Sequence, residues 1–452
     1  MLRRKKTGAS AAKNQEMQMP AMEFKPPVSD KQLQQGILIA CRATEQYPVT
    51  IMLLAQALSV RADQILLDCT AQGVSVRCRV DGLWENMPPM DRPTGDGVVV
   101  VLKRLCNLNA TDRRSRQTAK LGVGHNGDWI VELTSQGVPT GERLLLRIEP
   151  KKPVLKTLTD VGMREKMQEQ LKALLNGDDA LFVFSAPPAH GLPTQWRVGL
   201  ESADRFIRDF HSIEDKATAE PELINIQPHH FDKAAGEGPM KVLKSLLLKQ
   251  PDVLVIPDFV DNDTVEVLCD QIIDQHRFGI TRMVAGSAVE AIVKLLATYP
   301  AEQKRLVKMI SGALNQRLVR RLCDQCKQAF PPTPQLLQKL GIPPGRVTAL
   351  YQPFVPPPPE QRVDAKGNPI EIEICTKCNG RGYFGRIAIF ELLVINDEIR
   401  KALMQKASVD NVLPVARKQG FTTIQEEGVL AVAAGVTSLQ ELQRVLAPPK
   451  PQ

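Results

Sequence analysis

Four cysteines in two Cys-x-x-Cys pairs are the residues of this chain best suited to chemistry. The first pair is Cys323 with Cys326, and the second is Cys375 with Cys378. A two-residue spacer lets both sulfurs of one turn face a single ion, so two such turns predict a tetrahedral four-thiolate zinc site. Because the segment between the pairs contains four consecutive prolines, we expect a loop excursion that closes back on itself. The alternative is four unrelated free thiols.

A second candidate site is the segment from Leu181 to Gln195, where an apolar run enters a turn rich in Pro and Gly. A phosphate-binding P-loop occupies such a place and needs loop glycines, a Lys for the phosphate charge and a Ser or Thr hydroxyl for Mg²⁺. Gly191 is present, but Leu192 and Pro193 stand where the Lys and the hydroxyl residue belong. Leu cannot neutralise phosphate, and Pro is expected to fit a helix poorly beyond its first position. These fifteen residues alone are also compatible with an ordinary strand-to-loop connection.

A third feature is an acid that follows a short apolar run. Val253 to Ile256 is followed by Asp258, which is the form of a Walker B strand whose terminal carboxylate serves Mg²⁺ or water. Apolar runs that end in an acid are common. The position of Asp258 is therefore weak evidence of a nucleotide site when it is taken by itself.

The elements that must position these residues alternate between strand and helix in the middle of the chain. We predict strands over 180–184, 210–213, 253–256 and 282–285, with helices over 196–209, 238–249, 263–276 and 289–299 between or after them. Such alternation predicts a parallel sheet covered on both sides. Residues 301–322 are predicted to form a further helix that is rich in basic residues towards its end.

The remaining segments predict the domain organisation. Residues 1–35 are expected to be a disordered tail, 36–150 a small α/β domain with a hairpin turn at Asp81 and Gly82, and 151–175 a linker and helix. Residues 176–322 form the parallel-sheet domain, 323–395 the tetracysteine subdomain, and 396–452 a helical region with a frayed tail.

Composition narrows the class of protein. Hydrophobic residues make up 43% and charged residues 24% of the 452, no apolar run approaches the roughly 18 residues that span a bilayer, and no signal peptide is evident. Nine cysteines without an export signal indicate thiols and metal ligands in a cytoplasmic protein. The net charge is +8 and aromatic residues are only 4%, without the basic and aromatic interleaving that binds nucleic acid.

Four runs in the C-terminal third carry a resemblance to a known family: Gln316 to Cys323, Gly382 to Arg386, Ile389 to Leu393, and Gly435 to Ser438. Together with the second Cys-x-x-Cys pair, these four runs resemble the type II secretion and type IV pilus assembly ATPases over roughly residues 55–446. The resemblance implies a PAS-like N-terminal domain and a RecA-type P-loop NTPase domain with a tetracysteine zinc insertion. It also implies a hexameric ring at the cytoplasmic side of the inner membrane, with ATP-driven motion coupled to a membrane platform protein.

The departures from the family fall on its nucleotide chemistry. The degenerate nucleotide loop comprises Ala186, Ala189, Gly191, Leu192, Pro193 and Thr194. Asp258, after Pro257, replaces a Gly-Glu pair, and Glu214 is what remains of an acidic box. Glu132 stands at what resembles an arginine position of the first domain. Loss of the cation, the metal hydroxyl and an activating Arg each costs transition-state stabilisation of several kcal/mol in general, so we do not expect ATP hydrolysis.

The resulting hypothesis is a pseudo-ATPase with structural zinc that serves as a ring subunit or scaffold of a secretion or pilus machine. Its partners would be copies of itself or paralogous ATPase subunits, and an inner-membrane platform protein. One alternative is an active motor in which loop amides and a Lys from elsewhere hold the phosphates. The other is a regulatory adaptor that binds a paralogous ATPase.

Overall fold

The computed structural model describes residues 19–258, 261–358, 361 and 372–447. The chain divides into two compact units, Met1–Val154 and Leu155–Gln452. The predicted fold class is confirmed: an α/β N-terminal domain is followed by a P-loop NTPase-like domain that carries a cysteine cluster. None of the helices among the described residues combines the length and apolarity needed to cross a bilayer.

The first unit is a seven-stranded antiparallel sheet with the order β1-β5-β6-β7-β2-β3-β4. Its strands are β1 (Glu23–Lys25), β2 (Ala62–Cys69), β3 (Val74–Val80), β4 (Leu83–Met90), β5 (Gln117–Gly124), β6 (Asp128–Val138) and β7 (Gly141–Pro150), and its helices are α1 (Lys31–Arg42), α2 (Tyr47–Ser59) and α3 (Arg92–Leu105). The predicted hairpin turn joins β3 to β4, with Asp81 at φ 49° and Gly82 at φ 85°, the left-handed pair that two-residue hairpins require. Alternate residues of β3 are buried.

The tail prediction is wrong for residues 19–35. The strand β1 pairs with β5 through Glu23 to Lys25, and α1 begins at Lys31 behind the N-cap Asp30. The short strand gains order by adding to an existing sheet edge, a long-range contact that local composition does not reveal. Residues 1–18 lie outside the described residues.

The second unit is built on a seven-stranded sheet with the order β10-β9-β11-β12-β8-β13-β16, parallel except for the last pair. Its strands are β8 (Leu181–Ala186), β9 (Phe210–Asp215), β10 (Ile226–Phe231), β11 (Val253–Ile256), β12 (Phe278–Val284), β13 (Ile310–Leu322) and β16 (Tyr383–Val394). Flanking helices are α4 (Glu165–Leu175), α5 (Leu192–Ser202), α6 (Pro239–Leu247), α7 (Asn262–Ile273), α8 (Ala288–Thr298) and α9 (Gln303–Met309). The predicted alternation of strand and helix is present here.

The helix predicted over 301–322 is wrong for most of its length. A 3-10 turn over Pro300–Glu302 leads into α9, and residues 310–322 form β13, which pairs in parallel with β8 and antiparallel with β16. Residues 312–316 of β13 are all buried because the strand lies inside the sheet, so sheet pairing overrides the basic, Leu-rich composition of the segment. The same pairing places β16 in the large sheet, whereas the sequence assigned its residues to the cysteine subdomain.

The remaining elements cover one end of the sheet. A two-stranded sheet of β14 (Gln328–Phe330) and β15 (Leu350–Gln352), with α10 (Pro334–Leu340), lies in the chain between the cysteine pairs. Four helices then follow β16, in the segment predicted to be helical: α11 (Asp397–Gln405), α12 (Val409–Lys418), α13 (Ile424–Ala433) and α14 (Leu439–Leu446).

Candidate functional site

The turn after β8 leads directly into a helix. The strand ends at Ala186 and α5 begins at Leu192, with Ala189 at φ 64° and Gly191 at φ 83° between them. Glycine fits position 191 because a Cβ there would lie 2.9 Å from Nε2 of Gln316. Pro193 is the second residue of α5, where the backbone N–H needs no helical partner. The expectation that proline fits poorly at this place is therefore wrong, and α5 starts earlier than predicted.

His190 ties this turn to β13. The Leu318 N–H donates to Nδ1 of His190 over 3.0 Å, and the Gln316 amide donates to the His190 carbonyl over 2.7 Å. The His190 N–H donates to the Pro187 carbonyl over 3.2 Å. Burial lowers the pKa of His190, and the positive charge of Arg317 lowers it further. The ring is therefore neutral at pH 7 and adds no positive charge to the turn.

The interior beneath the turn is occupied by the protein's own side chains. Leu192, at the lysine position, packs against the apolar cluster that contains Phe184 and Trp196. Asn315 donates from Nδ2 to Ser185 Oγ over 2.9 Å and to the Ala285 carbonyl over 3.1 Å. The position that would carry charge holds a partly buried apolar side chain packed against the core, and a buried polar network holds the strands on either side. Thr194 is half-buried in the first turn of α5.

The two acids lie on, or just after, other strands of the sheet. Asp258 is exposed at the end of β11, where it lines a cavity of about 350 Å³ together with Asp215, Thr218 and Lys233. The strand β12 separates β11 from β8 in the sheet. Glu214 lies on β9, and its carboxylate accepts a hydrogen bond from the Glu220 N–H over 3.0 Å. The fold thus places Asp258 and Asp215 on the same cavity, whereas the Glu214 carboxylate is hydrogen-bonded to the backbone of Glu220.

Glu132, in the first unit, is compensated locally. It lies on β6 opposite Lys120 of β5 and Arg147 of β7, and its carboxylate is 3.6 Å from the Arg147 guanidinium. Opposite charges across neighbouring strands stabilise a sheet modestly. The acid therefore neutralises a neighbouring arginine of its own chain.

The four cysteines of the two pairs converge on one point. All four sulfurs lie within 4.8 Å of one another, with Cys323 Sγ 3.8 Å from Cys375 Sγ and Cys326 Sγ 3.6 Å from Cys378 Sγ. Four sulfurs bound at about 2.3 Å to a tetrahedral ion are about 3.8 Å apart. The cluster fits such an ion without rearrangement.

Sheet pairing explains how two distant cysteine pairs meet. The first pair follows β13 directly and the second precedes β16, and Leu322 lies opposite Tyr383 where those antiparallel strands end. The Cys323 N–H donates to the Gly382 carbonyl over 2.9 Å, and the Gly382 N–H donates to Cys378 Sγ over 3.3 Å. The backbone N–H of Cys378 lowers the pKa of Cys375 to about 7, which favours the thiolate that metals bind, whereas burial raises the pKa of Cys323 and of Cys326.

The motifs that carried the family resemblance meet around one buried acid. Glu441, on α14, accepts hydrogen bonds from the Arg320 N–H over 3.0 Å and from the Arg320 and Arg444 guanidinium groups over 2.6–2.9 Å. The Arg320 guanidinium stacks 3.9 Å from the Tyr383 ring centroid, and the Tyr383 hydroxyl lies 2.7 Å from Ser438 Oγ. These contacts join β13, β16 and the last helix beside the cysteine cluster.

Glu391 is a second buried acid, and its role was not predicted from the residues around it. Its carboxylate accepts from the Ala288 N–H over 2.6 Å and from the Ile424 N–H over 2.7 Å, which are the first residues of α8 and α13. Burial raises the pKa of Glu391, although these two backbone donors oppose the rise. One side chain thus caps two helices.

The adjacent histidines His229 and His230 lie on β10. His229 Nε2 is 2.8 Å from Nδ1 of His211, whose Nε2 is 2.8 Å from the Asp209 carboxylate. His211 is buried on the neighbouring strand β9. Single-sequence analysis missed this pair because β10 was not predicted.

Comparison with known proteins places the chain in a family. The profile of the type II/IV secretion system protein family matches residues 45–444, and the chain belongs to that family. The type IV pilus assembly ATPase PilB of Thermus thermophilus is 26% identical over 84% of this chain, which spans only 41% of that protein. The type II secretion system protein E of Pectobacterium carotovorum is 27% identical over 87% of this chain and 74% of its own length.

Solved structures agree on the fold. The Legionella pneumophila ATPase DotB superposes with a TM-score of 0.56 at 12% identity, covering 87% of this chain and 94% of its own. The pilus retraction motor PilT, solved with bound ADP, gives a TM-score of 0.51 at 14% identity, covering 88% and 96%. The predicted resemblance is therefore confirmed at the level of family and architecture.

Proposed function

We propose that this chain is a catalytically degenerate member of the family that acts as a ring subunit or scaffold of a secretion or pilus machine. The observation that carries the proposal is the turn between Ala186 and Leu192. Its histidine is neutral and bound to β13, and the residue at the lysine position is a partly buried leucine that packs against the core. A triphosphate placed there would meet neither the cation nor the metal-binding hydroxyl of a working P-loop.

The expected loss is large. Removing one preorganised group that stabilises transition-state charge costs about 3–4 kcal/mol, a hundredfold to a thousandfold in rate. Here Leu192 and Pro193 remove two such groups together, and Asp258 is one methylene shorter than the family's acid. We therefore expect Mg-ATP turnover indistinguishable from buffer.

Zinc is the metal we assign to Cys323, Cys326, Cys375 and Cys378. An all-thiolate set at tetrahedral spacing is the donor set of structural zinc, and such a site contributes to folding energy when loaded. Its retention beside a degenerate nucleotide loop fits a chain that must fold and dock. We propose copies of itself or paralogous ATPase subunits as ring partners, in a hexamer at the cytoplasmic face of the inner membrane, and a platform protein as its membrane partner.

The test combines loss and restoration in the full chain. The wild type should bind no fluorescent ATP analogue at micromolar concentration and release no phosphate from Mg-ATP. The double variant Leu192→Lys/Pro193→Thr should gain measurable analogue binding if the turn still has the shape of a phosphate loop. Turnover by the wild type that Asp258→Ala abolishes would refute the proposal.

An active motor is the second candidate, because Lys233 lines the same cavity as Asp258. In that case a cation from the segment after β10 would replace the missing lysine. Lys233→Ala should then remove ATP binding, whereas Lys216→Ala, a nearby exposed lysine 3.8 Å from Asp232, should not. No effect of either substitution on a wild type that fails to bind ATP supports degeneracy.

A further inference from the structure

Two histidines on neighbouring strands of the second unit form a chain of contacts that neither the nucleotide turn nor the cysteine cluster uses. His211 lies on β9 and is 1% exposed, and His229 lies on β10, the outermost strand of the sheet. The Asp209 carboxylate accepts a hydrogen bond from Nε2 of His211 over 2.8 Å. Because a neutral imidazole carries one proton, Nδ1 of His211 keeps its lone pair, and it faces Nε2 of His229 over 2.8 Å.

His229 is the accessible member of this pair. It is half-buried, and burial lowers the pKa of its ring, which His211 and Lys249 lower further. The His229 ring is therefore neutral at pH 7 and keeps a lone pair for a ligand. Solvent reaches the pair from this side, because β10 is an edge strand and the Asp209 side chain is 45% exposed.

From this geometry we infer that His211 and His229 are the protein ligands of a divalent transition-metal ion that prefers tetragonal nitrogen sites, Ni²⁺ or Cu²⁺. At a metal–nitrogen bond length of about 2.0 Å, two ligands at a right angle are about 2.8 Å apart, whereas two ligands at the tetrahedral angle are about 3.3 Å apart. The observed 2.8 Å between the two ring nitrogens matches the right angle. Imidazole nitrogen suits these ions, whereas Mg²⁺ and Ca²⁺ take oxygen ligands.

The Asp209 carboxylate supplies the outer shell of such a site. A metal-binding histidine donates its other ring N–H to a carboxylate or carbonyl, which fixes the tautomer and the orientation of the ring. The contact between His211 and Asp209 is of this kind, so the buried ring presents Nδ1 and only the half-buried His229 ring has to turn towards the ion. An ion held by both rings ties the edge strand β10 to β9 and raises the free energy of unfolding.

A nickel titration of the full chain without an affinity tag tests this site. Protein loaded with one Zn²⁺ per chain, for the thiolates, is titrated with Ni²⁺ by calorimetry, and thermal unfolding is followed in parallel. We expect one further ion per chain, a melting temperature that rises with Ni²⁺, and weaker binding below about pH 6, where imidazole takes up a proton. His229→Gln should weaken Ni²⁺ binding at least about tenfold and remove the thermal shift, and Asp209→Asn should weaken binding by about tenfold to a hundredfold.

His230→Gln and His276→Gln are the matched controls. His230 is the exposed neighbour of His229 on β10, but successive side chains of a strand point to opposite faces. His276 makes the same contact with a carboxylate, Nδ1 to Asp179 over 2.8 Å, but lies on neither strand. Both variants should bind Ni²⁺ as the wild type does. No uptake beyond the zinc, unchanged binding by His229→Gln, or an equal loss in either control would overturn the inference and leave the pair as two rings that share a proton.

Discussion

The sharpest structural prediction concerns Glu391, which caps α8 and α13 from a strand of the central sheet. Substitution by Ala leaves the Ala288 and Ile424 N–H groups buried without an acceptor, and each unpaired donor costs about 1–3 kcal/mol. We therefore expect Glu391→Ala to lower the free energy of unfolding by about 3–5 kcal/mol. Glu391→Gln retains one acceptor oxygen and should cost about 1–2 kcal/mol. The exposed Glu398→Gln is the control and should change stability by less than about 0.5 kcal/mol.

The assay must resolve the two helices separately. Urea unfolding followed through the buried Trp196, with Trp84 and Trp129 of the first unit replaced by Phe in every variant, reports the second unit. Amide hydrogen exchange reports the starts of α8 and α13. In Glu391→Ala both helix starts should exchange faster to the same extent, because one carboxylate serves both. Faster exchange at one helix start alone, or a total cost under about 1 kcal/mol, would refute the shared cap.

Three further predictions concern the second unit. Because burial raises the pKa of Glu391, this acid contributes most to the free energy of unfolding at low pH, and the contribution is lost as pH rises through the raised pKa. The destabilisation caused by Glu391→Gln should therefore shrink between acidic and alkaline pH. A destabilisation that grows with pH would contradict the assignment. Cys375→Ser should abolish stoichiometric zinc in the purified chain, whereas Cys269→Ser, at a buried thiol outside the cluster, should retain it; equal zinc in both variants would exclude the four-thiolate site. Ala189→Gly should raise the free energy of unfolding by about 0.5–1 kcal/mol, because glycine relieves the strain of the left-handed backbone. The control is Ala43→Gly at an exposed residue with φ −74°, which should lower the free energy of unfolding. A change of the same sign in both variants would argue against backbone strain.

Several features of the fold were accessible from sequence because their signals are local. The Asp81-Gly82 pair predicts a hairpin turn from two adjacent residues, and the strand Val253–Ile256 was predicted with its observed bounds. Each Cys-x-x-Cys pair predicts two ligands of one metal ion from its spacing alone. The helical character of the region after residue 396, which holds α11 to α14, was predicted because apolar periodicity and capping residues act within one or two turns.

The loop chemistry was only partly accessible. Side-chain identity established that Leu192 and Pro193 bring no charge and no hydroxyl, and this argument needs no coordinates. That His190 is a neutral partner of the Leu318 N–H depends on β13, which the sequence placed in a helix. The pKa of a histidine is set by burial and by charges distant in the chain, so it follows from packing.

The sequence alone determined which groups this chain can offer: four thiols in two turns, an uncharged phosphate loop and a basic amino-terminal part. The tertiary structure decided where they act. Pairing of β13 with β16 brings the two cysteine pairs together and converts Glu391 and Glu441 from ordinary acids into buried partners of helix N-termini and arginines. The physical reason is that a turn or a helix end is specified by neighbouring residues, whereas sheet register, burial and ion pairing are specified by residues that meet only after the chain has folded.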